Sequence, residues 1–367
     1  MTTTSSPSAA NRERIERLWS YLEADPGNIN LLRDIAREGL QVSAPEDTLR
    51  AADRLRELKA ASADVEAAAL HALTKLSRTE EACSRAESAH KAWPEDEGVR
   101  LEFARALLNV RRFHDAAGMS SQDAFTDRSL AQMAGEIRLQ ALWHMGQLEV
   151  AADEGAELMR QWPENARILA TCAAVFYDLG RSGEALQAAQ RAYALSPTHA
   201  YAALPVLAGE CLMQRDVEGA LRLTQLAQWL RSDDGRVWLV SASANLMAGR
   251  TQEALDHLQK VLRIYPNHPG SHLLLTWVYI TSRSLDEALP AAQRAIEANP
   301  TFAESHGTLA VIHALRGERD AAEKNIRRAT LLDKNSFAAR YAQSILEGNP
   351  PGRVDELFRE VMRSFGR

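Results

Sequence analysis

One spacing dominates this sequence: a small residue returns every 34 or 35 positions. Thr48 begins the series, and eight alanines continue it at Ala82, Ala116, Ala151, Ala185, Ala220, Ala254, Ala288 and Ala322. A fixed period of this length indicates a stack of helical hairpins, none of which can bury its apolar face alone. We therefore predict nine repeats, which begin near Ile29, Ala63, Glu97, Gln132, Ala166, Tyr201, Gly235, Pro269 and Ala303.

Glycine and proline punctuate the same frame. Glycines such as Gly180 and Gly249 fall between the two helices of a repeat, where a positive φ is easiest for glycine. Prolines such as Pro266 end second helices, because proline lacks the amide that the helix would need. Pro205 lies inside a first helix, so we expect a delayed start or a kink there. Thr301-x-x-Glu304 fits a capping box.

The third and fourth repeats depart from the pattern. The second helix of the third repeat contains glycine and a polar cluster, so we expect a shortened, irregular helix near 117–129. A functional hinge is the alternative. In the fourth repeat, Gly135 and Arg138 replace the expected large residues.

Several positions fit a known repeat pattern, W-x2-L-G-x2-Y…A-x3-F…P. One copy contains Trp238, Ala242, Gly249, Ala254 and Pro266, and the next contains Leu275, Tyr279, Ala288, Ala295 and Pro300. Over residues 29–336 the chain resembles tetratricopeptide repeat proteins. The resemblance implies an all-α fold, a right-handed superhelix of about nine helical hairpins. It also implies that the first helices line a concave groove that holds an extended or helical peptide.

The two ends lie outside the repeats. We expect residues 1–10 to be disordered, residues 11–28 to form an N-terminal capping helix, and residues 337–367 to form C-terminal capping helices. The last of these helices has an apolar stripe from Val354 to Phe365. This stripe fits a cap on the solenoid, and it also fits a helix that binds a partner or a second copy. Both a monomer and a homodimer are therefore consistent with the sequence.

Composition restricts the classes of partner. The formal net charge of -6 argues against nucleic-acid binding, which needs a concentrated positive face. The first ten residues have no apolar core, and no later stretch is long and apolar enough to span a membrane, so we expect a cytoplasmic protein. Heavy use of arginine and alanine is typical of GC-rich bacterial genomes.

The sequence contains no motif for catalysis or cofactor binding. Its three cysteines form no C-x-x-C pair, and buried inert thiols are favoured. His268, His272 and His306 could approach one another on adjacent first helices, but no further ligand completes a metal site. We expect ordinary packing of these imidazoles, no metal, and no enzymatic activity.

The resemblance also implies which places of each repeat face a ligand: the second, fifth, sixth, ninth, twelfth and thirteenth. In the first part of the chain the candidate groove residues are polar or aromatic: Arg33, Arg37, His71, Lys75, Arg105, Gln140, Trp143, His144 and Tyr177. In the second part they are mostly apolar: Leu212, Met213, Leu239, Ser243, Leu246, Met247, Leu273, Trp277 and Ile280. The ninth place is never asparagine, so the carboxylate clamp of the family's chaperone-tail binders is absent.

These observations predict a protein-interaction scaffold or adaptor that binds a peptide or helix of a partner protein. The leucine, methionine and tryptophan residues suit apolar anchors, and the charged residues would orient the partner. Two alternatives stay open. One is a chaperone for a secreted or assembling subunit, and the other is a regulatory or substrate-docking subunit of an enzyme complex.

Overall fold

The computed structural model describes residues 7–231 and 234–348. Every regular element in these ranges is helical, and none is a β-strand, which confirms the predicted all-α class. None of the helices in this part of the chain is at once long enough and apolar enough to cross a bilayer.

The helices follow one another as hairpins. In chain order they are α1 (Pro7–Ala24), α2 (Ile29–Gln41), α3 (Pro45–Glu57), α4 (Ala63–Lys75), α5 (Thr79–Ala92), α6 (Glu97–Asn109), α7 (Phe113–Met119), α8 (Arg128–His144), α9 (Leu148–Gln161), α10 (Ala166–Asp178), α11 (Ser182–Leu195), α12 (Leu204–Met213), α13 (Val217–Leu230), α14 (Gly235–Met247), α15 (Thr251–Ile264), α16 (Pro269–Thr281), α17 (Leu285–Ala298), α18 (Ala303–Leu315), α19 (Arg319–Leu332) and α20 (Phe337–Leu346). The even-numbered helices from α2 to α18 are the first helices of hairpins. Seven of the nine predicted repeat starts coincide with the first residue of such a helix, so the period locates the repeats correctly.

The recurring alanines lie where neighbouring helices approach most closely. All eight are at most 1% exposed. Thr48, which takes the alanine's place in the first repeat, is also buried, and a side chain at Gly39 would collide with its hydroxyl. The missing side chain at Gly39 therefore compensates for the larger residue at position 48.

The turn inside each hairpin has one residue in the left-handed region. Glycine occupies this place in four repeats, at φ between 72° and 77° for Gly146, Gly180, Gly249 and Gly317. In the other five, serine or arginine adopts the same conformation: Ser43, Ser77, Arg111, Arg215 and Arg283, at φ between 57° and 65°. The turn geometry is thus the same in all nine hairpins of the described residues, whichever residue occupies it.

The irregular third repeat is held by specific contacts. Its second helix, α7, has only seven residues, as the sequence predicts, and a 3-10 turn follows at Gln122–Ala124. The carboxylate of Glu97 accepts hydrogen bonds from the amides of Thr126 and Asp127, at 2.9 and 3.1 Å. Arg138 donates to the carbonyl oxygen of Ala117 at 2.9 Å. Because the segment is tied to both α6 and α8, it does not have the loose packing expected of a hinge.

Pro205 and Gly135 have the local effects that their residue types suggest. The sixth repeat begins with a 3-10 turn, Tyr201–Ala203, and α12 starts at Leu204 with Pro205 in its first turn, which confirms the delayed start. A Cβ atom at Gly135 would lie 2.7 Å from Cδ2 of Leu158, so the glycine leaves space for that leucine. The glycine at position 135, where the repeat pattern expects a large residue, therefore serves packing.

The ends of the described chain only partly match the predictions. Helix α1 begins at Pro7, so residues 7–10 are helical and not part of a disordered tail; proline is favourable at the first position of a helix. Ile15 and Leu22 of α1 are buried in the core beneath it. At the other end, α20 packs against α18. Residues 1–6 and the apolar stripe from Val354 to Phe365 lie outside the described residues.

The chain divides into two compact units, Met1–Leu158 (unit 1) and Met159–Arg367 (unit 2), with the boundary inside α9. In unit 1 the core includes Ile35, Leu70 and Val99 from successive first helices. In unit 2 a corresponding cluster contains Leu274 and Trp277. The single continuous solenoid over 29–336 stays a prediction.

Candidate functional site

The candidate groove residues all lie on first helices, but their surroundings differ between the two units. Unit 1 contains those on α2, α4, α6 and α8: Arg33, Arg37, His71, Lys75, Arg105, Gln140, Trp143 and His144. Unit 2 contains those on α10, α12, α14 and α16: Tyr177, Leu212, Met213, Leu239, Ser243, Leu246, Met247, Leu273, Trp277 and Ile280.

A buried carboxylate organises the centre of the unit 1 residues. Glu102 on α6 is 7% exposed. Its Oε1 atom is 3.2 Å from Nδ1 of His71 on α4, and its Oε2 atom is 3.3 Å from Nε of Arg105. The carboxylate therefore pairs with two candidate side chains from neighbouring first helices.

The guanidinium of Arg105 has hydrogen-bonding capacity left over. Its Nε has no well-aligned acceptor despite the nearby Glu102 carboxylate. Its Nη2 atom faces the thioether sulfur of Met133 at 3.9 Å, and a thioether is a weak acceptor. Nε is itself buried, but 19% of the side chain is exposed, so a ligand carboxylate or carbonyl oxygen would reach the guanidinium through its Nη groups.

Unit 1 has further candidate cations on α2 and α4. Lys75 is exposed on α4, one helical turn after His71. Arg37 donates to Oδ2 of Asp64 through Nε and Nη2, at 3.0 and 2.7 Å, and this hydrogen bond raises the pKa of Arg37. We call the following set the polar face of unit 1: Arg33, Asp34, Arg37, Asp64, His71, Lys75, Glu102 and Arg105. With four cations and three carboxylates, it is slightly positive in a chain whose net charge is -6.

The remaining unit 1 candidates lie on α8. Gln140 is half-buried. The ring of His144 lies 5.0 Å from that of Trp143 and 4.9 Å from that of Phe113, and both pairs are stacked. The two aromatic candidates therefore form part of a ring cluster at the end of α8.

In unit 2, half of the ten candidates are covered. Five of them are buried: Leu212, Ser243, Leu246, Leu273 and Trp277. Trp277 is only 2% exposed, and its ring centroid is 6.3 Å from that of Tyr341 on α20. The sequence predicts ligand contact for these side chains, and their burial argues for packing instead.

The other unit 2 candidates keep some accessible surface. Met213, Leu239, Met247 and Ile280 are half-buried, and the last three pack against a core cluster. Tyr177 is more open, at 39% exposed, and burial of its hydroxyl group raises the pKa of the phenol. For these five residues, contact with a ligand stays a prediction.

The three histidines considered for metal binding have structural partners. Nε2 of His272 donates to the carbonyl oxygen of Pro266 at 2.8 Å, and Nε2 of His306 makes the same contact with Pro300 at 2.9 Å. His268 caps α16 by accepting from the amide of Ser271. Across the residues that the structure describes, no three metal-binding side chains come together.

The most buried cysteine has the properties of a packing residue. Burial raises the pKa of Cys172 to about 12, so its thiol stays protonated near neutral pH. A protonated, buried thiol is a poor nucleophile.

Two family models, both described as tetratricopeptide repeat, match residues 245–289 and 273–345. No curated protein matches the chain. Similar solved structures include YrrB, described as a TPR protein with an unusual peptide-binding site (17% identity, 53% of this chain and 99% of that chain, TM-score 0.38). Others are pilF of Pseudomonas aeruginosa (19%, 59% and 98%, TM-score 0.45) and a thermophilic TPR protein of Thermus thermophilus (22%, 50% and 99%, TM-score 0.43).

Proposed function

Because the chain belongs to the tetratricopeptide repeat family, a family of protein-interaction modules, we propose that it is a non-enzymatic scaffold or adaptor whose polar face in unit 1 binds a segment of a partner protein. The observation that supports this best is the arrangement around Arg105. A buried carboxylate pairs with the guanidinium, and the Nη2 donor faces the thioether sulfur of Met133, a weak acceptor.

The geometry favours a partner segment with exposed oxygen acceptors. Arg105 would donate to a carboxylate or a backbone carbonyl of the segment. Lys75, exposed on the neighbouring first helix, would add attraction that speeds association more than it tightens the complex. His71 and Glu102 would act through Arg105, by keeping its side chain in one position.

The chaperone alternative has less support than the scaffold. A chaperone that holds an apolar segment would need the apolar first-helix residues of unit 2 to be accessible. Leu273 and Trp277 are almost completely covered. A regulatory or docking subunit could use the same polar face, with the chemistry in another chain. A cytoplasmic location, a bacterial source and the choice between monomer and homodimer stay predictions from the sequence.

Charge reversal on the polar face tests the proposal. We would compare partners captured from native lysate by the wild type, by Lys75→Glu with Arg105→Glu, and by a control with Arg294→Glu and Lys324→Glu. The control residues are exposed cations on the second helices α17 and α19, so both double variants change the net charge equally. We expect partners to be lost from the first variant alone.

Circular dichroism would show that both double variants keep the helical content of the wild type. If the same partners remain on all three proteins, the polar face is not the binding site. If both variants lose the same partners, the effect comes from net charge, and the proposed site is again wrong.

A further inference from the structure

Helices α1 and α3 of unit 1 face each other across a cleft of about 590 Å³. This volume is within the range of ligand pockets. One wall is the edge of α1 that contains Trp19, Leu22 and Glu23. The other is a stripe along the full length of α3: Glu46, Leu49, Arg50, Asp53, Arg54 and Glu57. No residue of the polar face of unit 1 lines this cleft.

The floor of the cleft is apolar. Leu22, Leu32 and Leu49 contribute to its lining although little of each side chain is exposed. The accessible apolar surface of the lining is that of half-buried Trp19 and Leu76 and exposed Pro26, and an apolar side chain of a ligand that replaces water on this surface gains free energy.

The indole of Trp19 is held in place beside this floor. Its Nε1 atom donates to Oδ1 of Asp47 at 2.8 Å. The guanidinium carbon of Arg50 lies 4.1 Å from the centre of the ring, a cation–π contact. The α1 wall is therefore fixed before any ligand arrives, which lowers the ordering cost of binding.

The arginines that line the cleft already have partners. Arg50 lies on the indole ring. Arg54 pairs with Glu57 at 2.6 Å, and Arg78 pairs with Glu81 at 2.6 Å. Arg54 and Arg78 are therefore paired with carboxylates, whereas the cation–π contact of Arg50 leaves its positive charge uncompensated.

The carboxylates of the lining are less completely paired. Asp53 is bound by Arg85 at 2.6 Å. Glu23 and Glu46, both exposed, form no ion pair with any residue that the structure describes. With two unpaired carboxylates against the charge of Arg50, the cleft combines an apolar floor with a small net negative charge.

We propose that this cleft binds a partner segment that carries a cation next to an apolar side chain. An aliphatic or aromatic side chain would occupy the leucine floor. A neighbouring lysine or arginine would be attracted by Glu23 and Glu46. The charge preference is opposite to that of the polar face of unit 1, so the two sites would contact different segments, and this inference does not rest on the proposed function.

Three short, end-blocked, fluorescein-labelled peptides test the proposal by fluorescence anisotropy with the full chain. All three have leucine at the same positions, and the other positions are lysine, glutamine or glutamate. We expect the lysine peptide to bind about tenfold more tightly than the glutamine peptide, and the glutamate peptide to bind least.

Matched variants locate the binding. Glu23→Gln with Glu46→Gln should weaken the lysine peptide about tenfold. Glu253→Gln with Glu297→Gln is the control, because these exposed glutamates occupy the first turn of α15 and the last turn of α17, as Glu46 and Glu23 do in α3 and α1. This control and Arg105→Gln should leave the affinity unchanged.

Several results would overturn the proposal. These are no binding of the lysine peptide, equal binding of all three peptides, and preference for the glutamate peptide. An equal loss in both glutamine double variants would mean attraction by net charge, without a site. A loss in Arg105→Gln alone would place the peptide on the polar face, so the failure of this inference can be told apart from failure of the proposed function.

Discussion

The ninth residue of the first helix has opposite surroundings in the two units. In unit 1 this place holds Arg37, which is exposed, and Arg105, which is half-buried. In unit 2 it holds Ala174, Ser243, Trp277 and Val311, none of which is more than 2% exposed, and the half-buried Gly209. The repeat frame therefore sets the direction of a side chain, whereas neighbouring helices decide whether the side chain meets solvent or core.

The units also differ in what joins successive layers. In unit 1 a buried ion pair links α4 and α5: Nε and Nη2 of Arg85 lie 2.9 and 3.1 Å from the carboxylate of Glu66, which is 0% exposed. In unit 2 the cluster around Trp277 is made of apolar side chains. A buried ion pair stabilises the fold only when its specific partner is present, whereas an apolar cluster tolerates other apolar side chains of similar volume and shape.

The first prediction compares the truncation of one ninth-place residue in each unit, and the loss of stability should be large only in unit 2. Trp277→Ala removes a large buried side chain and should lower the free energy of unfolding by about 4 kcal/mol. Arg37→Ala removes only a solvent-exposed ion pair and should change it by less than about 1 kcal/mol. Guanidinium chloride denaturation, followed by circular dichroism, measures both.

A small effect of Trp277→Ala would contradict this assignment to the core. Trp277→Phe is the conservative control, and it should recover most of the loss because it refills part of the space. An Arg37→Ala effect as large as that of Trp277→Ala would remove the difference between the units.

The second prediction concerns the buried ion pair of unit 1. Glu66→Gln leaves the guanidinium of Arg85 without its buried counter-charge and should cost about 3 kcal/mol. Glu81→Gln is the matched control, since Glu81 pairs with Arg78 at the surface, and it should cost less than about 1 kcal/mol. The same denaturation experiment applies. Equal losses would show that burial does not distinguish these two pairs.

Much of the fold can be predicted from the sequence because it depends on local periodicity. The recurring alanines and Gly180 or Gly249 mark close helix contacts and turns whose geometry is the same in every repeat.

The capping box at Thr301 and Glu304 is wrong for a non-local reason. Helix α18 starts at Ala303, and the carboxylate of Glu304 accepts instead from the amides of Phe337 and Ala338, 33 and 34 residues ahead.

The candidate site is less predictable, because exposure depends on contacts between repeats. The frame places Arg105 and Trp277 at equivalent positions, yet it does not show that Tyr341 lies beside the tryptophan. The bridging role of Glu102 could be anticipated only from its spacing of three residues to Arg105. The cleft beside Trp19 has no periodic signal at all, because α1 lies outside the nine repeats.

The third prediction tests the shared turn geometry with smaller changes. Ser77→Gly in unit 1 and Arg283→Gly in unit 2 each relieve a left-handed residue and should raise the free energy of unfolding by about 1 kcal/mol. Gly180→Ala should lower it by about 1 kcal/mol, because alanine is strained at a φ of 74°. Denaturation midpoints measure all three. A loss in either glycine variant would mean that the side chain makes contacts worth more than the strain.

The smallest effects concern two carboxylates that cap the following first helix in different environments. Glu97 in unit 1 is solvent-accessible, and hydrogen bonds from Thr126 and Asp127 lower its pKa. Glu304 in unit 2 is buried, and burial raises its pKa although Phe337 and Ala338 donate to it. Their ordinary value is 4.5, so the two groups shift in opposite directions from the same reference.

The consequences for stability therefore have opposite signs. For Glu97, the folded state binds fewer protons than the unfolded state near and below pH 4.5, so its contribution is present above that pH and is lost as the pH falls. For Glu304, the folded state holds its proton longer, so its contribution is present below pH 4.5 and is lost as the pH rises through the folded pKa. Urea denaturation would be measured for Glu97→Gln, Glu304→Gln and the wild type across this pH range. The stability difference from wild type should grow with pH for Glu97→Gln and shrink for Glu304→Gln. The same direction in both variants would mean that burial does not control the protonation of Glu304, and that the contrast between the polar and the apolar unit does not extend to these caps.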